Sequence, residues 1–319
     1  MMVVFKEDAA SNPADLTFLD RIIHRIEDGA HEWSIENPAS LEASDWMHNC
    51  RPNLLELFKD AVKKQSYPRQ RFPLRSVTVT ANPKAGELTP QQAARYVSKP
   101  LFVLVENRFS DGELLSTALR YMSPAPLQKL LNSNVHDLIY CDSAGGNGEL
   151  LKLIRDYDAT AKRGSLPLRM VVFTDSDGLL PGYIGDKPKE IESACKLLGV
   201  PCLILQKRAI ENYIPDEILE LCDKEHQSQV AILCQLTREQ RDYFPIKDGV
   251  KYFARLTKEE IAFYASIDRG AQQTLGIGLG NKVILLLGKH KNVLTAQALQ
   301  KRDYNGELKK LVQMIVNEL

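Results

Sequence analysis

Asp175 and Asp177 stand one serine apart at the end of the apolar run VVFTDSDG, Val171 to Gly178. In extended chain, residues two apart project to the same face. Two carboxylates aimed together repel, and at least one resists ionisation. A divalent cation removes that conflict. Magnesium takes oxygen ligands, keeps several waters and uses one or two protein carboxylates. Glu106 closes another apolar run, PLFVLVE. Beside the two aspartates it completes a set able to hold one or two ions. Such a set suits phosphodiester chemistry, in which metals polarise the phosphate and lower the pKa of the attacking water. Taken alone, DSDG is also good turn chemistry.

The elements around these residues must bring them together. Four short apolar runs, PLFVLVE, HDLIYCDSAGG, RMVVFTDSDG and VPCLILQKR, each read as a strand. The helical patterns SDGELLSTALRYM, NGELLKLIRDYDATAKR and PKEIESACKLLG separate them. Strands alternating with helices predict an α/β fold with a parallel sheet flanked by helices. Ligands of such sheets bind outside the carboxyl ends of the strands. The residues closing the runs therefore matter: Glu106 and Asp111, then Asp142 to Glu149, then Asp175 and Asp177, then Lys207, Arg208 and Glu211.

Glu106 after one strand, Gly145-Gly146 after the next, Asp175-x-Asp177 after the third and QKRAIENYIP after the fourth resemble a TOPRIM domain. The resemblance is closest to the nuclease branch of the overcoming-lysogenization-defect (OLD) family and its stand-alone anti-phage relatives. Arg208 to Pro215, R-x-I-E-N-Y-I-P, is the most particular match. The resemblance covers roughly Pro100 to Asp216, about a third of the chain. It implies a Mg²⁺ (or Mn²⁺) nuclease acting on DNA or RNA, tRNA included. Glu106 would be a metal ligand and general base, Asp175 and Asp177 would bind metal, and Glu211 would complete a second site. Lys207 or Arg208 would neutralise the pentavalent phosphate. The Gly145-Gly146 turn would let the backbone approach closely. The family usually has Glu-Gly followed closely by Asp. Here Asn107 replaces that glycine, and Asp111 lies one residue further away. Asp111 is then either a metal ligand or a cap of the next helix. Relatives of this kind often serve as toxic effectors of bacterial antiviral defence. Without an ATPase motif in this chain, a separate ATPase or sensor partner is implied, and a homodimer is compatible. A topoisomerase would need a tyrosine on another domain, and a primase a zinc module. The competing reading of a different class is a catalytically silent binding subunit of a larger complex.

Three regions follow from the pattern: a mixed accessory region 1–98, the catalytic α/β domain 99–216, and a mainly helical region 217–319. In the first, Leu16 to Ile26 and LLELFKDAVKKQ have helical spacing, and RSVTVTANP reads as a half-exposed strand. Trp33 and Trp46 are expected in a small core rather than anchoring a partner. In the last, Lys282, Lys289, Lys291, Lys301, Arg302, Lys309 and Lys310 outnumber acids, fitting a nucleic-acid-facing surface or a solvated helix face. YFPIKDG, Tyr243 to Gly249, is a candidate loop over the site, with Lys247 contacting phosphate. VILLLG, Val283 to Gly288, is a buried strand or helix end. GIGLGNK lacks the phosphate-loop spacing, and its apolar run follows the glycines, so no nucleotide site is expected there.

The 319 residues hold 41 Lys+Arg and 41 Asp+Glu, so no global field attracts nucleic acid. A local basic cleft remains open to such an enzyme. The six cysteines form no CxxC pair, which argues against structural zinc and fits a reducing, cytoplasmic compartment. No signal peptide and no membrane-spanning run is expected.

Overall fold

The computed structural model describes residues 1–49, 52–67, 75–125, 127–128, 138–145, 147–250 and 257–319. Gly146 and Cys50 therefore lie outside the described residues. Among the described residues, no helix is long and apolar enough to cross a membrane.

The fold is α/β, with two parallel sheets flanked by helices. The first sheet holds β1 (Met2–Phe5), β2 (Glu32–Ile35) and β3 (Ser76–Val79) in the order β2-β1-β3. Helices α1 (Leu16–Glu27), α2 (Pro52–Gln65) and α3 (Pro90–Val97) accompany it. The leucines and isoleucines of α1 face inward, with Leu19, Ile22 and Ile23 buried. Trp33 and Trp46 pack edge-to-face among Phe5 and Phe58, and Trp46 Nε1 donates to Asp20 at 3.0 Å. Both tryptophans are core residues. Strands β1 and β2, four residues each, are not among the elements expected from the sequence.

The second sheet holds β4 (Leu101–Val105), β5 (Ile139–Ser143), β6 (Met170–Thr174) and β7 (Cys202–Ile204) in the order β5-β4-β6-β7. All four strands are parallel. Helix α4 (Ser110–Met122) covers one face, and α5 (Asn147–Arg163) with α6 (Asp186–Leu198) cover the other. Burial on both faces explains the unbroken apolar runs LFVLV and MVVFT. Gly199 ends α6 at φ 64°, a left-handed conformation that suits glycine.

The C-terminal region adds short helices, including α7 (Arg238–Tyr243), α8 (Ala296–Arg302) and α9 (Glu307–Glu318). It shares one apolar core with β4, β6 and α4. Val283 to Gly288 is helical, a 3-10 turn running into Leu286–Lys289. The chain end also clamps the first sheet. Arg75 pairs with Glu318 at 2.6 Å, and the Arg75 N–H donates to the Asn317 carbonyl at 3.0 Å.

A buried charge network ties β7 to the C-terminal helices. Lys207 is 2% exposed and Asp242 3%. Lys207 Nζ pairs with Asp242 at 2.9 Å and donates to the Arg302 carbonyl at 2.6 Å. Arg302 Nη2 meets the same carboxylate at 2.6 Å. The rings of Tyr213 and Tyr304 flank the ammonium at 4.9 and 5.2 Å. Burial, then the charge of Arg302, pulls Lys207 down to about 8. One carboxylate thus balances two buried cations. Asp242→Ala would strand both, at a cost of about 3–5 kcal/mol. Urea unfolding should show that loss, and an unchanged midpoint would mean that the network adds nothing to stability.

Candidate active site

In the second sheet the chain leaves β4 towards one neighbour first and the other later, so the strand order reverses between β4 and β6. Such a switch point opens a crevice beyond the carboxyl ends of the strands. Glu106 follows β4 and Asp175 follows β6. The paired register Leu104↔Val172, continued, sets Glu106 level with Thr174, one residue before Asp175.

Asp175 is the centre of the site. Its Oδ1 is buried and has no hydrogen-bond partner. Burial, then the charges of Asp111, Glu211, Glu106 and Asp177, hold its carboxyl well above the usual carboxylate range. The five carboxylates expected from the sequence are therefore brought within electrostatic reach of one another. They come from four segments: the β4–α4 turn, the end of β6, the turn after it, and the 3-10 turn Ile210–Tyr213.

The two aspartates of DSDG do not share a strand face, contrary to expectation. β6 ends at Thr174, and Asp177 has φ 50°. Ser176 causes the break. Its hydroxyl donates to the Lys207 carbonyl at 2.9 Å and accepts from the Gly178 N–H at 3.0 Å. The Asp177 N–H then reaches the Arg208 carbonyl at 3.1 Å, and the Gly185 N–H reaches the Ser176 carbonyl at 2.8 Å. Gly178 has no room for a side chain, since a Cβ there would lie 2.7 Å from the Tyr183 carbonyl. Asp175 is partly covered, with its Oδ1 buried, while Asp177 lies exposed. Burial raises the Asp177 carboxyl, and Arg208 and Lys247 pull it back down.

The β4–α4 turn is closed by an exchange of caps. The Asn107 side chain accepts from the Phe109 and Ser110 N–H groups at 2.9 and 3.3 Å. Asp111 Oδ2 accepts from the Asn107 N–H at 2.9 Å, and Ser110 Oγ donates to Oδ1 at 3.2 Å. Asn107 therefore builds the turn with its side chain where a glycine would use backbone freedom. Asp111 lies inside the first turn of α4, closes the turn before it through the Asn107 N–H, and adds its charge to the field at Asp175. Burial raises the Asp111 carboxyl against those hydrogen bonds. Gly145, at φ 83°, donates its N–H to the Glu106 carbonyl at 3.2 Å and so carries the β5 turn to the same edge.

Glu211 is buried, and burial raises its carboxyl. Its neighbour Asn212 locks the turn. Asn212 Oδ1 accepts from the Ala209 N–H at 3.0 Å, and Nδ2 donates to the Arg241 and Phe244 carbonyls at 2.7 and 2.9 Å. The IENY segment thus sends Glu211 to the crevice and binds α7 through Asn212.

Of the two cations in QKR, one serves the carboxylates. Arg208 acts on Asp177, whereas Lys207 is turned into the Asp242 network and does not approach the crevice as expected of a phosphate contact. Lys247 supplies the second cation. It is exposed, and its charge lowers Asp111, Asp177 and Glu211 alike. The glycine-rich stretch Gly276 to Gly280 positions its loop. The Leu279 and Gly280 N–H groups donate to the Ile246 and Lys247 carbonyls, both at 2.9 Å. A Cβ on Gly278 would lie 2.1 Å from the Lys247 carbonyl oxygen. Those glycines serve close backbone approach, a purpose visible only once the two loops are side by side.

Among the described residues, no three His, Cys, Asp or Glu side chains form a group that could hold a metal ion as they stand. The donors nonetheless match magnesium in kind. All are hard oxygens, the charge is in excess, and Asp175 Oδ1 is buried without a partner. Magnesium requires one or two protein carboxylates and completes its shell with water and phosphate, so a closed cage is not needed.

No family model matches the chain, and neither a curated protein nor a solved structure matches it.

The sign of the Asp175 shift predicts a stability effect. A carboxyl raised on folding stabilises at low pH, and that contribution is lost as pH rises through its folded value. Asp175→Asn removes the buried charge. Without divalent cation at pH 7, the variant should melt about 2 °C or more above wild type, with the gap closing towards pH 4. A pH-independent difference in thermal melting would contradict the crowded-charge account.

Proposed function

We propose that the chain is a magnesium-dependent nuclease on a TOPRIM-type core, hydrolysing phosphodiester bonds in DNA or RNA. The observation that carries this reading is the unpartnered buried Oδ1 of Asp175, set at the switch point under the charge of four further carboxylates. The sequence resemblance supports it, since the segments resembling TOPRIM motifs are those that supply the carboxylates.

On this reading Glu106, Asp175, Asp177 and Glu211 hold the metal. When bound, Mg²⁺ or Mn²⁺ supplies phosphate polarisation and a water acidic enough to attack. Glu106 is the candidate to take the proton from that water. Arg208 and Lys247, which act on the rim carboxylate Asp177, face the charge of an incoming phosphate. Asp111 fixes the turn that aims Glu106 and adds negative charge. Buried Lys207 is a positioning residue on this reading: its carbonyl holds Ser176, and its ammonium holds Asp242. The resemblance further suggests a toxic effector of antiviral defence that works with a separate ATPase or sensor.

The test incubates the full chain with plasmid and with total RNA, in Mg²⁺, in Mn²⁺ and in chelator. Cleavage should need the metal and fall at least about a hundredfold in Asp175→Ala, the order seen when one preorganised electrostatic group is lost. Calorimetric titration with Mn²⁺ runs in parallel, independent of any partner. Saturable binding to wild type and its loss in Asp175→Ala are expected. Wild type that binds no Mn²⁺ would overturn the reading. Gly278→Ala should displace the Lys247 loop and reduce cleavage while leaving Mn²⁺ binding in place, and full cleavage by that variant would remove Lys247 from the mechanism.

A further inference from the structure

A second concave site lies on the C-terminal side of the molecule, and the carboxylates described above do not line it. It is a cavity of about 190 Å³ between the segment after IENYIP, α7 and α8. Its charged lining consists of Arg238, Arg241, Lys301 and Arg302 against Asp216 and Glu217. Four cations face two anions in the lining, and with the Lys207–Asp242 pair behind Arg302 included the surplus is still two positive charges.

Two of those cations are buried, Arg241 at 4% exposure and Arg302 at 8%. A buried guanidinium normally spends all its N–H groups on acceptors. Here Arg241 Nη1 pairs with Asp216 and Nη2 donates to the Ile214 carbonyl, while Arg302 Nη2 pairs with Asp242. The Nε of each is buried with no hydrogen-bond partner. Burial, then the charge of Arg241, pulls Arg302 below its ordinary value. The two side chains thus repel each other across unsatisfied donors. Arg238 and Lys301 are exposed at the rim. Arg238 stacks over Tyr304 at 4.4 Å, and Lys301 stands 3.8 Å from Glu217.

We propose that this cavity binds the phosphate group of a ligand, with Arg241 and Arg302 as its floor and Arg238 and Lys301 closing over it. The surplus of two positive charges matches a phosphomonoester, which carries about −1.5 to −2 at neutral pH. Arginine's planar fork suits phosphate oxygens. The volume lies below the roughly 300–1,000 Å³ of pockets that enclose a drug-sized ligand, so the phosphate enters and the rest stays outside. Occupation would reach the first site, because Asp242 pairs with Arg302 and its carbonyl accepts the Arg208 N–H at 3.0 Å. The chemistry fits two sources: a free phosphate or nucleotide, and the phosphorylated end of a nucleic-acid strand.

Calorimetric titration at constant ionic strength tests the proposal on the full chain, with inorganic phosphate, a nucleoside 5′-monophosphate, a 5′-phosphorylated tetranucleotide and its 5′-hydroxyl counterpart. Saturable binding of phosphate is expected with a Kd at or below about 1 mM. It should weaken roughly tenfold or more, about 1.4 kcal/mol, in the double variant Arg238→Ala/Lys301→Ala. Both positions are exposed, so its circular dichroism and melting should match wild type. Asp175→Ala should bind as wild type does, which locates the ligand away from the carboxylates. The monophosphate binding tighter than the tetranucleotide marks a free ligand. The phosphorylated tetranucleotide binding tighter than both the monophosphate and its 5′-hydroxyl form marks a strand end. No saturable binding up to about 10 mM, far weaker than the expected 1 mM, would overturn the proposal. So would equal affinity in the double variant or loss in Asp175→Ala. Binding alone is read, so the result stands whether or not the chain cleaves nucleic acid.

Discussion

The repulsion gathered around Asp175 is the constraint to which the rest of this fold responds. A carboxylate with one oxygen buried and unpaired is costly wherever it stands. Four more carboxyl groups within reach raise that cost. Nothing in packing calls for it, because an asparagine or a leucine would follow β6 with less strain. The surrounding structure instead holds the charges in place. Ser176 stops the strand, Asn107 and Asp111 tie off the turn after β4, and Asn212 pins Glu211. Each device fixes backbone next to one of these carboxylates. Local cost kept in place by several independent hydrogen bonds is the observation on which the proposed function rests.

The C-terminal helices belong to that site as much as the sheet does. The DSDG turn hangs on the carbonyls of Lys207 and Arg208, and the Arg208 N–H hangs on the carbonyl of Asp242 in α7. Asp242 in turn takes the charges of Lys207 and Arg302. From α7 the chain runs directly into the Lys247 loop, which rests on Gly276 to Gly280. A displacement of α7 would therefore move Arg208, Asp177 and Lys247 together. That continuity explains why buried charge is tolerated between β7 and α8: the network has direction and register that an apolar contact would lack.

Much of this was legible in the sequence, for identifiable reasons. The central strands β4 and β6 are buried on both faces, so their apolar runs stand out, and α4 and α5 begin and end where the periodicity places them. The candidate carboxylates could be named because a parallel sheet brings the ends of its strands to one edge. What was not legible depended on side chains choosing between neighbours. Lys207 and Arg208 are adjacent and alike in charge, and only the position of Asp242, far along the chain, sends one inward. GIGLGNK could be rejected as a phosphate loop, but its partner was another loop that no local pattern announces. The aspartates of DSDG misled because alternation was carried one residue too far, past a serine that hydrogen-bonds the backbone of β7's continuation.

Asp111 shows how the departure at Asn107 changes the chemistry on offer. With glycine after Glu106, the turn could close by backbone conformation alone and leave the following aspartate at liberty. Asn107 closes it by side chain, and the exchange engages both oxygens of Asp111, one with the Asn107 N–H and one with Ser110. To bind metal directly, Asp111 would have to give up a bond that shapes the turn behind Glu106. Its field needs no such movement, because a charge acts on Asp175 across the crevice at no cost to the cap. The arrangement therefore favours Asp111 as the residue that shapes the turn behind Glu106 and adds its charge to the field at Asp175. On the proposed reading, Asp175 and Glu106, at the ends of adjacent strands, are the pair best placed to meet a cation.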